Sequence, residues 1–411
     1  MNATAEARSP LAHLSAEQLD QLAGELDEIR DRVFAELGER DRRYIESMIA
    51  MQRRLAVLGR VLLLAARYRP AKLAGTAALS MAKILENMEI GHNVLHGQWD
   101  WMNDPQINSS TWDWDTASTS EAWKHSHNYV HHTFTNIRGK DKDLGYEIMR
   151  IDPQQKWHPV YLFQPLYNLL LMAFFEWGVA LHDLDFEAIR KGKKSKAQVK
   201  RELAGIREKA KNQVVKDYVA WPLLSGLAMA ALDLALEARR PARQRRGGLA
   251  GALKSALKSG GSSFRSTASA DASANIVRNV WSYAIIFCGH FPDQTYTFSS
   301  KEVEDESRGG WYVRQLTGAA NIEGSALFHV ASGNLGYQVE HHLFPDLPST
   351  RYAEIAPQIK QICERYGLPY NSGPFGQQLG MVQRTILRLA LPGGSSRPKP
   401  GPYRGEDHSA L

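Results

Sequence analysis

The chain has 411 residues, a formal net charge of +6 and 43% hydrophobic residues. That length fits two or three soluble domains or one polytopic membrane domain with polar parts, and the mild positive charge points to anionic lipid or an acidic redox partner. Two cysteines, Cys288 and Cys363, exclude a disulfide framework and a CxxC metal knuckle, and are expected to be buried thiols in a reducing compartment. The polar first residues, with Glu6 and Arg8, do not resemble a secretory signal.

Residues 1–12 are expected to be disordered. Ser15-Ala-Glu-Gln18 reads as a capping box that opens a helix with Leu19, Leu22, Leu26 and Ile29 at helical spacing. Residues 1–54 therefore form an amphipathic helical region, lying on a membrane, on the rest of the chain or in solvent. The first long apolar region, Leu55 to Ile90, is divided by Pro70. A spanning helix needs about 20 apolar residues. The two halves predict a helical hairpin that crosses and returns, delivering His92 to the starting side; a buried soluble helix pair is the alternative.

His92-Asn-Val-Leu-His96 is the first of three histidine boxes. Residues 97–124 follow, rich in Trp, Asp, Ser and Thr, as in an interfacial aromatic belt or a soluble core. The second box is His125-Ser-His127-Asn-Tyr-Val-His131-His132, with a polar loop, Lys140-Asp-Lys-Asp143, behind it. Val160–Leu181 is apolar, but the basic run Arg190–Lys211 belongs in the cytoplasm by the positive-inside rule, so 160–181 is expected to lie half-buried at the interface. Val214–Leu236 and Asn275–Cys288 predict a second hairpin. Its connection, 237–273, is Arg-rich and then Gly/Ser/Ala-rich, and reads as a flexible linker.

Residues 291–337, with a solvated acidic patch at Glu302, Glu304, Asp305 and Glu306, lead to the third box, Gln338-Val-Glu340-His341-His342-Leu-Phe-Pro345. Residues 350–391 read as a soluble helical tail, and 392–411 as a disordered one.

Of 14 histidines, eight sit in the three boxes. Imidazole is the commonest side-chain metal ligand. On a helix, residues four apart share a face, so His92 pairs with His96 and His127 with His131. Adjacent histidines point about 100° apart, so a His-His pair can serve two neighbouring ions. Nitrogen ligands suit iron, copper, zinc or nickel. His125 competes with His127, and the spacing to His131 favours His127.

HxxxH, HxxxHH and QxxHH at widening intervals, with Glu89-Ile-Gly-His92, His131-His132-Thr-Phe-Thr-Asn136 and Glu340-His341-His342-Leu-Phe-Pro345 around them, resemble the membrane fatty acid desaturases, in particular bacterial acyl-CoA desaturases without a fused cytochrome b5 domain. The resemblance runs from about Met81 to Pro369. It implies an all-α polytopic membrane fold: two transmembrane hairpins and a cytoplasmic, histidine-rich di-iron domain, spanning 55–391, in the bacterial inner membrane. It implies that His92, His96, His127, His131, His132, His290, His341 and His342 hold two non-haem irons. Gln338 stands where many relatives have histidine, and can bind iron, hold a water or brace a ligand. Glu340, Asn136 and Asp143 are candidates to receive the outer N–H of a ligating imidazole. His329, near the third box, is a further candidate; His13, His158, His182 and His408 are read as unrelated to the site.

The activity implied is O2-dependent insertion of a cis double bond into a fatty acyl chain, carried by coenzyme A or by lipid. No side-chain base removes a proton from an unactivated methylene, so a metal must carry the oxidation. Among nucleotide motifs, neither GxGxxG after a strand nor a Walker loop occurs, and nucleic acid is not an expected partner. Electrons are then expected from NAD(P)H through a separate ferredoxin or flavoprotein reductase, with 190–211 as a candidate docking face. Two alternatives stand beside this: a histidine-box hydroxylase or ketolase acting on lipid or alkane, separated by product mass, and a membrane metal transporter, which would place its ligands mid-span rather than at segment ends.

Overall fold

A computed structural model describes residues 10–241 and 248–394. The fold is almost wholly helical. α1 (Ala16–Ala35) begins at the expected capping box: Gln18 N–H donates to Ser15 Oγ at 3.2 Å, and Ser15 N–H to Gln18 Oε1 at 2.9 Å. Its stripe Leu22, Leu26, Ile29 and Val33 is buried against Tyr312, Leu316 and Phe344. The N-terminal helix thus lies on the histidine-bearing part of the chain. Pro10–His13 forms a short 3-10 turn, so the disorder expected over 1–12 does not extend to residues 10–12; residues 1–9 lie outside the described residues.

α2 (Glu39–Leu64) and α3 (Arg69–Ile84) form the first hairpin, with Pro70 in the first turn of α3, where its missing N–H costs nothing. Gly59 and Gly75 let the two backbones touch: a Cβ on Gly59 would meet Gly75 O at 3.1 Å. α3 runs on without a break into a π-helical turn, Leu85–His92.

Two short helices, α4 (Gln164–Ala173) and α5 (Phe175–His182), meet at a kink at Phe174. Leu166, Leu169, Leu170 and Phe174 face outward, while Gln164, Asn168, Leu171 and Phe175 are buried. This one-sided pattern suits a segment lying flat on an apolar medium rather than crossing it. α6 (Lys196–Val214) continues through a π turn, Val215–Ala220, into α7 (Trp221–Ala238). Among the described residues this continuous helix, Lys196–Ala238, is the one long and apolar enough to cross a membrane.

The expected flexible linker at 237–273 is corrected here. Residues 237–238 end α7, 242–247 lie outside the described residues, and from Gly248 the chain is one helix, α8 (Gly248–His290). The Gly/Ser/Ala composition that reads as loose is a packing stripe. Small side chains let helix backbones approach closely, which helps most where the medium supplies no hydrophobic drive. A Cβ on Gly260 would meet Gly226 O of α7 at 2.7 Å. Ser225 Oγ and Ser263 Oγ are 2.6 Å apart, and Thr267 Oγ1 donates to Leu63 O at 3.0 Å.

Charges inside the bundle are paired across the hairpins. Arg60 of α2 reaches Asp217 at 2.6 Å and Asp271 at 2.5 Å, and Lys83 Nζ of α3 reaches Asp217 at 2.8 Å. Arg60 interrupts an apolar run in sequence; in the fold it clamps three helices.

α9 (Arg308–Gly318), α10 (Gln338–Leu343), α11 (Tyr352–Arg365) and α12 (Phe375–Leu389) complete the chain. The expected soluble helical tail is helical, but it is built into the core: Val382 and Ile386 of α12 pack with Leu171, Tyr283 and Phe287. A two-stranded parallel pairing of Asn321–Glu323 with Ser372–Pro374 fixes it there. Of the tail expected to be disordered from 392, residues 395–411 lie outside the described residues.

Candidate metal centre

A π-helical segment, Leu85–His92, delivers the first box, whose remaining residues form an α turn over Asn93–Leu95, and a second π segment, Lys124–His131, carries most of the second box, where α-helix was assumed from spacing. A π turn takes an extra residue and is common at functional sites. It brings i and i+4 more nearly in line: the rings of His127 and His131 stack at 5.0 Å and 20°. The third box rides on the single buried turn α10, and His290 ends α8.

These four segments converge. Ligand atoms of His92, His96, His127 and His341 all lie within 4.8 Å of one another, as do those of His131, His290 and His342. His132 stands between the two groups, its ring centroid 4.8 Å from His96, 4.9 Å from His341 and 4.6 Å from His342.

The nitrogens divide into held and bare. Nδ1 of His92 faces Asn93 Oδ1 at 3.0 Å, that of His127 faces Asp143 at 3.2 Å, and that of His131 faces Asp141 at 3.1 Å. Nδ1 of His342 faces Gln315 Oε1 at 3.0 Å. Gln315 is oriented by its own donation to His132 O, and Asn93 by its donations to Glu89 O and Gly333 O. Nδ1 of His341 faces Tyr352 Oη at 3.2 Å, whose hydroxyl already donates to Phe344 O. Each partner accepts, so each Nδ1 carries the proton and Nε2 presents its lone pair. Nε2 of His96, His127, His131, His341 and His342, both nitrogens of His132 and Nδ1 of His290 are buried with no hydrogen-bond partner among the described residues. Such a set of bare acceptors is costly unless a cation satisfies it. Donor set, tautomers and burial therefore fit two nitrogen-ligated metal ions.

Burial drives these imidazoles toward the neutral form a ligand needs. It lowers His92 to about 3, and holds His96, His132, His290, His341 and His342 well below the usual histidine range. His131 is raised instead: burial lowers it, but the Asp141 and Asp143 carboxylates outweigh that.

Other candidates separate. Gln338 Nε2 lies 3.0 Å from His290 Nε2 while its Oε1 is unpartnered; with the amide turned over, as the hydrogen-bond network favours, Oε1 accepts from His290 Nε2–H and leaves Nδ1 for the metal side. Gly289 is needed there, since a Cβ would meet the Gln338 side chain at 2.8 Å. Asp143 receives His127, as expected. Asn136 and Glu340 do not receive an imidazole. Asn136 Nδ2 donates to Tyr296 O and Gly318 O, and Glu340 accepts from Asn321 and Tyr370. Both brace loops instead, because the chain already places other acceptors beside the rings. His125 is exposed and stacks on Tyr129, so His127 is the residue turned inward. His329 stacks on Tyr337, outside both groups.

His182, read as unrelated, belongs to the site: its Nε2 lies 2.9 Å from Asp143 Oδ1, the carboxylate that orients His127. Asn93, Asp141, Gln315 and Tyr352 were also missed. Asp141 stood in plain sight in Lys-Asp-Lys-Asp, a run with no spacing that ties it to a histidine.

A cavity opens on both groups. His92, His127, His290 and Gln338 form one end, and Met88, Trp123, Phe175, Val179 and Ile286 much of the wall.

A helical bundle that closes two groups of histidines over a largely apolar cavity defines a candidate two-metal site placed beside room for an apolar ligand. Comparison with known proteins gives the family. The fatty acid desaturase family model matches residues 70–239 and 264–374. An NADPH-dependent stearoyl-CoA 9-desaturase of Mycobacterium tuberculosis is 45% identical over 385 residues, 93% of this chain and 82% of that one. An sn-1 linoleoyl-lipid 6-desaturase of Synechocystis is 25% identical over 74% of this chain and 76% of its own. Human fatty acid desaturase 3 matches a shorter stretch, at 32% identity over 28% of this chain and 24% of its own. No solved structure matches significantly. The chain belongs to the fatty acid desaturase family, and it is an oxidoreductase.

Proposed function

We propose that this enzyme removes two hydrogens from adjacent methylenes of a fatty acyl-CoA and leaves a cis double bond, with two irons held by His92, His96, His127, His131, His132, His290, His341 and His342. The 45% identical relative supports a saturated acyl-CoA such as stearoyl-CoA, position nine and NADPH as the electron source. The observation that carries the reading is the inward set of bare imidazole nitrogens, in two groups, at the end of an apolar cavity.

When bound, the irons would supply the activation of O2 that unactivated C–H bonds require. The protein's share is positional. Asn93, Asp141, Asp143, Gln315 and Tyr352 fix which nitrogen of each histidine faces inward. Met88, Phe175, Val179 and Ile286 hold the acyl chain and exclude water, so that one C–H pair faces the centre. The reaction takes up O2, two electrons and two protons and releases two waters. With no nucleotide motif in the chain, the electrons reach it through a separate reductase or ferredoxin.

The proposal places the apolar faces of both hairpins in the bilayer, with Leu224, Leu227 and Leu232 of α7 and Val57 and Val61 of α2 toward lipid. α4 and α5 lie along its surface, and the histidines face the cytoplasm.

The test is expression in a host lacking unsaturated acyl chains, with an active electron donor, and mass spectrometry of the products. New monounsaturated acyl groups, two mass units lighter than their precursors, are expected. Products one oxygen heavier would indicate a hydroxylase, and an unchanged profile would overturn the reading.

A further inference from the structure

We propose that the buried ion pair between Glu176 and Arg278 closes the inner end of the acyl cavity and sets the length of chain the enzyme accepts. The inference rests on the desaturase reading.

The cavity has a direction. Its wall on α8 runs from His290 through Ile286 and Ser282 to Asn279, about 16 Å of helix at 1.5 Å per residue. On α5 it runs from His182 through Val179 to Glu176, and on the π turn after α3 from His92 to Met88 and Asn87. All three walls lead away from the histidines, and two of them end at the same polar cluster.

That cluster pairs largely with itself, though Gln213 Oε1 has no hydrogen-bond partner among the described residues. Glu176 pairs with Arg278, and the two side chains are only 4% and 1% exposed. Gln213 Nε2 donates to Glu176 Oε2 at 2.9 Å. Arg278 donates to Asp115 O and to Asn279 Oδ1, both at 3.2 Å, and Asn279 Nδ2 donates to Ala173 O at 3.0 Å. The kink at Phe174 sets Glu176 in the first turn of α5, facing α8.

An apolar wall yields to an extra methylene by repacking. A desolvated ion pair does not, because separating two buried charges in a low-dielectric interior is costly and an alkyl chain offers neither of them a replacement partner. A methyl terminus that reaches Glu176–Arg278 can neither displace the pair nor offer it a hydrogen bond. The stop is therefore sharp.

The test is competition between saturated acyl-CoAs of increasing length, with products read by mass spectrometry. In the double variant E176A/R278A both charges leave together, so neither is stranded. The ratio of kcat/KM for a chain two carbons longer than the preferred one, relative to the preferred one, should rise about tenfold or more. S282L, one turn nearer the histidines than Asn279, should shift the preference to shorter chains. An unchanged length profile in E176A/R278A overturns the proposal, and E176V/R278L, which removes both charges while keeping the space filled with yielding apolar groups, decides it if the alanine pair does not fold; S282L checks that the chain runs along this wall. A wild-type enzyme that desaturates no acyl-CoA is a different result: it removes the functional reading itself.

Discussion

Asp141 and His182 show how the histidine cage is oriented by groups outside it. Asp141 accepts His131 Nδ1–H and is itself fixed by the backbone N–H groups of Asn136 and Asp143, at 2.7 and 2.9 Å. Losing such an outer partner typically costs 10–100-fold in metal affinity or activity. Asp141→Asn should therefore lower both iron occupancy and turnover by about that factor, checked by metal analysis beside the activity assay. His182 acts one step further out, through Asp143. His182→Phe should weaken iron retention by about tenfold, and His182→Gln, which keeps a donor, should restore most of it. A merely structural histidine would change thermal stability in both variants and leave iron retention alone. The histidines that gather into the two groups were legible in sequence because HxxxH and His-His spacings keep neighbouring rings on related faces of a helical turn. Their partners were not. Gln315, Tyr352 and Asp141 reach their histidines across 27, 11 and 10 residues of chain, and such pairings follow from tertiary packing rather than period.

At the scale of elements, composition misled where one residue type serves two ends. Gly, Ser and Ala over 248–273 suit a flexible linker in water and a close helix contact in a bundle. What decides between them is the facing helix, and α7 carries its own small residues, Ser225 and Gly226, opposite Ser263 and Gly260. Gly260→Leu should push the two helices apart and cost about 1–3 kcal/mol, the range for overpacking, seen as a lowered melting temperature in detergent. Gly261→Ala, whose Cβ would meet only the tip of Arg265 at 4.0 Å, should have little effect. Helices were readable where the apolar runs lie, with Pro70 at the start of α3, but among the described residues one continuous helix, Lys196–Ala238, is long and apolar enough to cross a membrane. The π turns were not: nothing in Glu-Ile-Gly-His or Lys-His-Ser-His distinguishes a π turn from an α turn, and tertiary contacts select it.

In the whole molecule, a helical bundle carries a histidine cage where its helices end. The paired Arg60, Lys83, Asp217 and Asp271 explain why charged residues interrupt the apolar runs without breaking the bundle. The proposed topology places the end of α7, with Arg239 and Arg240, across the bilayer from His290. In a chain with Cys288 and Cys363 replaced, Arg240→Cys should react with an impermeant maleimide from outside intact cells; reaction only after lysis would reverse that orientation. The central claim is the metal pair, and the most direct measurement is the iron content of the purified protein. Two irons per chain are expected, falling in both His96→Ala and His342→Ala, one from each histidine group, while His125→Ala keeps two. A wild-type protein expressed with ample iron that carries none, or that keeps both irons in the two ligand variants, would contradict the account.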